Sequence, residues 1–297
     1  MAVADPVELV RFVSGVCAEV RDVVGEYGAR HASYPEEGSL AHREIFKNGI
    51  SGPGGPWPPK ALDTAFTLAG AIFIGAAGEY LMSLSQVFST PMALYGFQVL
   101  TRSLVEASAR AWWLLEPTID PRERVARAAV ERLFSLNEVE KVERAADRGP
   151  EEHFERSMNL RVQLAQLGLA EDFDKKGHLI GYEGVRRIES TRLVTAFLTS
   201  LGLRNGELVY RTLSGVSHSA LYAVLQYKDV ELVPGADRAA LNSNLPVEAV
   251  VNAAVLATSS YLGTVTRHAQ IYGRDWEIME RTRIDVTGRL LTSVSTP

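Results

Sequence analysis

Arg102-Ser-Leu-Val-Glu106-Ala-Ser-Ala-Arg110-Ala-Trp112-Trp113 sets three charges at i, i+4 and i+8 inside an otherwise apolar run. That spacing predicts a helix with the charges on one face. Leu104, Val105, Ala107, Ala109, Ala111 and the two tryptophans surround them, so the helix is apolar over most of its circumference and belongs in an interior. Buried charges must be paired or serve a site. Two readings stand: Arg102, Glu106 and Arg110, with Glu79 from the preceding apolar segment, form an internal polar network, or they border a ligand pocket. A solvated salt-bridge ladder, worth roughly a few tenths of a kcal/mol per pair, is the ordinary alternative.

Outward from this segment, helix follows helix. The helix that holds it runs from Met92 to Leu115 and stops at Glu116-Pro117. Before it, Lys60 to about Phe88 reads as a long apolar helix broken at Ser89-Thr90-Pro91, and Thr64 to Gly78 is read as buried core. That uncharged stretch falls short of the roughly 20 apolar residues a membrane span needs. Leu9, Val10, Val13, Val16, Cys17, Val20 and Val24 recur at helical spacing from Pro6 to about Tyr27, after an Asp5-Pro6 start signal. Asn48 to Pro59 is too rich in Gly and Pro for regular structure and is read as a linker or a loop pinned by Trp57.

Downstream, Asp120-Pro121 opens a charged helix that stops at Gly149-Pro150, and Glu151 to about Leu167 is helical again. Gly168 to Gly184 is looser. Helices follow at Val185–Leu201, Glu207 to about Gln226 and about Pro246–Tyr272, with a Pro234-Gly235 loop between the last two. Strand patterning is confined to Val230–Val233. The expected fold class is all-α, a multi-helix bundle with long antiparallel helices. Its expected divisions are an N-terminal helical segment over 1–47, a Gly/Pro-rich loop over 48–60, the bundle over 61–272 and a C-terminal tail over 273–297.

A net charge of −5 and a pI near 5.8 argue against broad electrostatic capture of nucleic acid, though not against a small RNA site in a local basic pocket. The single cysteine, Cys17, forms no internal disulfide, and no basic region precedes an apolar one at the start. A cytoplasmic protein without a membrane span is therefore expected.

Chemistry is suggested at Tyr210-Arg211-Thr-Leu-Ser214-Gly-Val-Ser217-His218-Ser219. Imidazole moves protons near neutral pH, and guanidinium holds charge that develops on phosphate. Six intervening residues put Arg211 and His218 on one helical face, about 10 Å apart along the axis. Tyr210, Leu213, Val216, Leu221 and Tyr222 form an apolar stripe that turns both toward one cleft. The plain alternative is a buried histidine bonded to a backbone carbonyl beside a salt-bridged arginine.

Arg211-(six residues)-His218, in a late helix of an all-α chain, resembles the arginine–(four to six residues)–histidine signature of the HEPN superfamily. Many members are metal-independent RNA endonucleases of toxin–antitoxin, antiviral and RNA-processing systems. Thr212 stands where active members carry Asn, Asp or His. The wider pattern of Arg102…Glu106, Trp112-Trp113 and Ser214-Gly-Val-Ser-His218 is similar to a group of actinobacterial helical proteins of unassigned role. The resemblance implies attack of a ribose 2′-hydroxyl on the adjacent phosphate, with His218 as general acid or base and Arg211 stabilising the phosphorane. Ser214 and Ser217 would add hydrogen bonds to phosphate. It also implies RNA as substrate, a homodimer, a cognate protein partner, and no cofactor.

Two other functions remain open at this point: a non-catalytic helical module binding a partner protein or small ligand, and a metal-free small-molecule enzyme with His218 as base. No zinc-type spacing or His-Glu-x-x-His joins the six histidines, Gly52 through Gly55 lacks a P-loop lysine, and Asp172-Phe-Asp174 lacks later calcium ligands. Arg267-His268 reads as a cationic cap at the end of its helix. Trp57, Trp112, Trp113 and Trp276 read as core or interface filling.

Overall fold

The structure, a computed structural model, describes residues 6–30, 34–47, 51–52, 55–89, 95–147, 151–220, 228–232, 239–243 and 247–295. In chain order the helices are α1 (Pro6–Arg30), α2 (Leu40–His42), α3 (Pro59–Thr67), α4 (Gly75–Phe88), α5 (Gly96–Leu114), α6 (Pro121–Ala145), α7 (Glu151–Gln166), α8 (Ser190–Ser200), α9 (Gly206–Ser217), α10 (Val247–Ile271) and α11 (Glu277–Ser295). A π-helical turn, Arg43–Lys47, continues α2, and another, Leu68–Ile74, joins α3 and α4 into one rod. The fold is an all-α multi-helix bundle, as expected. Short antiparallel strands decorate it: β1 (Ser51–Gly52) with β2 (Gly55–Pro56), a sheet of β3 (Glu171–Phe173), β4 (Leu179–Tyr182) and β5 (Val185–Arg186), and a hairpin of β6 (Lys228–Leu232) with β7 (Ala239–Ser243).

Helix α5 is the hub. Phe97, Thr101, Leu104, Val105, Ser108, Ala111 and Leu114 are buried on different sides of it, so it divides two cores. One gathers Val13, Cys17 and Val20 of α1, Leu81 and Leu84 of α4, Phe197 of α8 and Leu262 of α10. The other gathers Phe66 of α3, Ala126 and Val130 of α6, Leu160 and Leu164 of α7, and Tyr182 of β4 around Leu114 and Leu115. Each leucine sealed in this way contributes about 1.5–3 kcal/mol. Cys17 is fully enclosed, and burial pushes its thiol up to about 12, so it stays protonated and inert.

A helix end leaves carbonyls without intrahelical donors. At the C-terminus of α5, three arginines supply them. Arg267 of α10 donates to the Trp112 carbonyl at 3.5 Å, and Arg127 of α6 to that of Trp113 at 2.6 Å. Arg124 of α6 donates to the carbonyls of Leu114 and Glu116. It is 0% exposed and grips the buried Glu44 carboxylate through Nε at 2.8 Å and Nη2 at 3.0 Å, beneath the Phe66 ring. Asp120 caps α6 by accepting from the Glu123 amide at 2.8 Å, which fixes where this arginine pair starts.

Several expectations change. Arg267 does not cap its own helix; it pairs with Glu116 at 3.2 Å and lies over Trp112. His268 stacks on Tyr272, ring centroids 4.1 Å apart, and a Cβ on Gly70 would stand 3.0 Å from its Nε2. That close approach explains a glycine in the π-helical turn. The expected tail over 273–297 contains α11, whose Met279, Val286 and Leu290 are sealed in the first core. The loose Gly168–Gly184 stretch carries most of the three-stranded sheet. Helix α9 ends at Ser217 rather than near Gln226.

Trp57 does pin its loop, donating from Nε1 to the Leu167 carbonyl at 2.8 Å, whereas Trp276 is exposed. Among the described residues two helices, Pro59–Phe88 and Glu248–Ile271, are long and apolar enough to cross a membrane; 78% of the second's apolar window is buried but only 28% of the first's. The first is thus less a core helix than its sequence suggests, with Ala71 and Ile72 exposed. Asp5, Pro91, Gly149-Pro150 and Pro234-Gly235 lie outside the described residues.

Two outcomes follow. Glu44→Ala strands the Arg124 charge in the interior and should lower stability by about 3–5 kcal/mol in urea denaturation; Glu44→Leu with Arg124→Met should recover most of that loss. A small effect of the single change would show that the pair is not what secures α6 to α5.

Burial, with the nearby Arg274 charge, holds His268 down at about 4, against 6.5 ordinarily. Between those values the unfolded chain binds a proton that the folded chain does not, so this contribution is complete above pH 6.5 and is lost as pH falls toward 4. The loss amounts to about 3 kcal/mol. His268→Phe should flatten the stability profile in that window, and an unchanged slope would exclude this group as its source.

Candidate functional site

Tyr210, Leu213 and Val216 of helix α9 are all buried, as the apolar stripe predicts, with Tyr210 meeting Glu106 of α5 and Val216 packing near Tyr95 and Ala249 of α10; Leu221 and Tyr222 lie outside the described residues. Glu207 sits in its first turn, where the helix dipole favours an acid. Its other end closes in a Schellman arrangement: Ser219 adopts φ 53° and donates to the Val216 carbonyl at 2.9 Å, while Ala220 donates to that of Gly215 at 2.8 Å. His218 is therefore the last residue before the chain turns away, and its side chain is exposed over α5.

There it meets Arg102. His218 Nε2 lies 3.3 Å from Arg102 Nη1. Guanidinium has donors only, so the facing imidazole nitrogen is the one with a lone pair and the proton sits on Nδ1. Arg102 is held from behind: its Nε donates to Glu106 Oε1 at 2.8 Å, and it lies 5.7 Å from the centre of the Tyr210 ring. Tyr210 donates to the same Oε1 at 2.5 Å. Glu106 Oε2 has no hydrogen-bond partner among the described residues. Burial opposes the Arg102 charge, but Tyr210 and Glu106 outweigh it and raise its pKa above the ordinary arginine value. Burial, then the hydrogen bond to Glu106, raises Tyr210.

One turn on, Arg110 is enclosed. It pairs with Glu131 of α6 at 2.7 Å and donates to the Ile188 carbonyl at 3.2 Å and the Ser190 hydroxyl at 3.1 Å. Arg187 shares Glu131 at 3.6 Å and packs on Phe134; burial and the like charge of Arg110 lower its pKa. The three α5 charges are thus paired in two groups rather than the one expected: Arg102 and Glu106 with Tyr210 and His218, and Arg110 with Glu131 and, through it, Arg187. Glu79 is part of neither. It is exposed on α4, where its charge is felt by Tyr261 of α10.

The remaining site residues are placed as follows. Arg211 is exposed on α9 and pairs with Glu207 at 2.9 Å, so the contact made by His218 is with Arg102. Ser217 donates back to the Leu213 carbonyl at 2.9 Å, and Ser214 is half-buried, its carbonyl accepting from the His218 amide at 3.0 Å. The partnership of His218 with Arg102 spans 116 residues, and no local pattern carries it. Among the described residues, no three His, Cys, Asp or Glu side chains are grouped to hold a metal ion.

No family model, curated protein or solved structure matches the chain.

Tyr210→Phe keeps the ring and removes one hydroxyl, and should cost about 1.5–3 kcal/mol in chemical denaturation because the lost bond is to a carboxylate. In a double-mutant cycle with Glu106→Gln most of that cost should disappear. Simple additivity would mean the two groups do not interact.

Proposed function

We propose that the chain is a HEPN-like endoribonuclease that cleaves RNA without a metal, with His218 as its proton-transfer group and Arg102 as the arginine nearest the reacting phosphate. The observation that carries this reading is the exposed His218 imidazole, 3.3 Å from a guanidinium anchored by Glu106 and Tyr210. Arginine binds phosphate oxygens readily. A phosphodiester that draws Arg102 onto its oxygens would release Nε2, whose lone pair then accepts the proton of the ribose 2′-hydroxyl. The 2′-oxygen attacks phosphorus, Arg102 balances charge on the phosphorane, and the P–O5′ bond breaks as the 5′-oxygen takes a proton from water, the imidazolium afterwards returning its own proton to solvent. The products are a 2′,3′-cyclic phosphate end and a 5′-hydroxyl end.

Arg211, two turns along α9, would hold a neighbouring phosphate by exchanging its Glu207 partner for it. This departs from the HEPN pattern, in which the motif arginine serves the reacting phosphate. The resemblance supplies the reaction class, and the Arg102 contact supplies the assignment of roles.

Purified protein incubated with single-stranded RNA in EDTA should yield cyclic-phosphate ends. His218→Ala should reduce the rate by at least 100-fold, a loss in keeping with general acid–base catalysis, with the thermal midpoint unchanged. Arg102→Ala should reduce it comparably, and Arg211→Ala less, through KM. Cleavage that survives His218→Ala, or no cleavage of any RNA by the wild type, would overturn the proposal. A fall with Arg211→Ala alone would return the phosphate role to the motif arginine.

A further inference from the structure

Away from α9, helices α3, α6 and α7 enclose a cavity of about 590 Å³. That is within the range small ligands occupy. Its floor is apolar, made by Val125, Ala128 and Ala129 of α6 and Leu160 and Leu164 of α7, with Trp57 closing one end. A second cavity of about 350 Å³ shares Arg132, Leu160 and Gln163 with the first and adds Ser135, Leu136, Arg156 and Asn159, so it is the more polar end of the groove. From Val125 to Leu136 the two together follow α6 for about 16 Å.

Lys60, Arg132 and Arg156 line the two cavities along with amide side chains, and among the described residues no Asp or Glu lines either one. Two other arginines on α6 meet an acid one turn away: Glu123 answers Arg127, and Glu140 answers Arg144. One turn from Arg132 stand Ala128 and Leu136, both cavity walls, and its neighbour Glu131 is turned inward to Arg110. Asp63, the acid nearest Lys60 along α3, is instead felt by Tyr272. Among the described residues neither Lys60 nor Arg132 has an ion pair, and both are exposed.

We infer that this groove binds an amphipathic anion: a single carboxylate or phosphate head on an unbranched apolar tail of acyl-chain length. The apolar floor disfavours a polar body, because burying unpaired polar groups is costly. The cationic rim selects the sign of the head, and guanidinium suits either oxyanion. The run of about 16 Å along α6, floored by Val125, Ala128, Ala129 and Leu136, accommodates an extended tail.

Isothermal titration of the full chain with dodecanoate, monododecyl phosphate, dodecanol and dodecyltrimethylammonium, each below its micelle concentration, tests this. At least one anion should bind saturably, one per chain, and at least tenfold more tightly than the alcohol or the cation; comparing the two anions identifies the head. Arg132→Glu should weaken the anion at least tenfold without moving the thermal midpoint, and Lys60→Gln should weaken it less. Ala61→Trp fills the mouth without changing charge and should abolish binding. Saturable binding by neither anion, equal affinity for dodecanol, or an unchanged affinity in Arg132→Glu would overturn the inference.

Discussion

Helix α5 is buried along most of its length while carrying Arg102, Glu106 and Arg110 on one face, and this conflict organises the packing around it. Its enclosed charge and its last carbonyls are answered from other elements, because unpaired polar groups in an interior are costly. Arg110 calls in Glu131 of α6 and Ser190 of α8. Glu106 and Arg102 call in Tyr210 and His218 on α9. The last carbonyls call in Arg124, Arg127 and Arg267. Apolar burial gives the assembly its stability, but these polar contacts fix its register: sliding α6 by one turn would leave Glu131 and Arg124 facing apolar neighbours. Directional bonds discriminate between arrangements that hydrophobic contact alone leaves close in energy.

The same reasoning separates what was legible in the sequence from what was not. Helical spacing in Val13, Cys17 and Val20, and in the α5 charges, is a local property, and the structure keeps it. The Asp120 cap is local too, and its hydrogen bond to Glu123 is where the motif puts it. Helix α11 escaped because only Met279, Val286 and Leu290 are sealed, with charged turns between them, so the apolar signal is sparse. The strands of the central sheet are two to four residues long, too short for period-two alternation to register. The π-helical turn at Leu68–Ile74 has the same apolar composition as the α-helix on each side; what marks it is the approach of His268 to Gly70, a tertiary fact.

At the site, the face shared by Arg102, Glu106 and Arg110 was readable, since helix geometry alone fixes it. Its partners were not. Glu79 sits in an apolar stretch and so looked buried, but that rod is half open to solvent and the carboxylate turns outward. Arg211 and His218 share a helical face by arithmetic, yet the Schellman turn at Ser219 ends the helix at the histidine and sets it over α5. Which arginine meets the imidazole is decided by how α9 docks, and the Tyr210 bond to Glu106 ties it to α5 across a hundred residues of chain. The consequence is chemical: an arginine already oriented by a carboxylate and a phenol loses less freedom on gripping an anion than an exposed one does.

A net charge of −5 does not argue against either proposed site, because the field felt by a bound anion is local. At physiological ionic strength, charges are screened over about 8 Å, so acids on distant helices contribute little inside the α6–α7 groove. What matters is that nearby acids are already committed. Glu131 is held by Arg110 and Arg187, and Glu123 by Arg127, which among the described residues leaves Arg132 facing the cavity without an answering carboxylate. Adjacent residues on α6 thereby face opposite ways with opposite tasks: Glu131 neutralises a buried cation on α5, and Arg132 presents its own charge outward. Turning Glu131 inward to satisfy α5 keeps that acid away from Arg132 at the cavity, so the constraint that orders the core also shapes the surface a ligand meets.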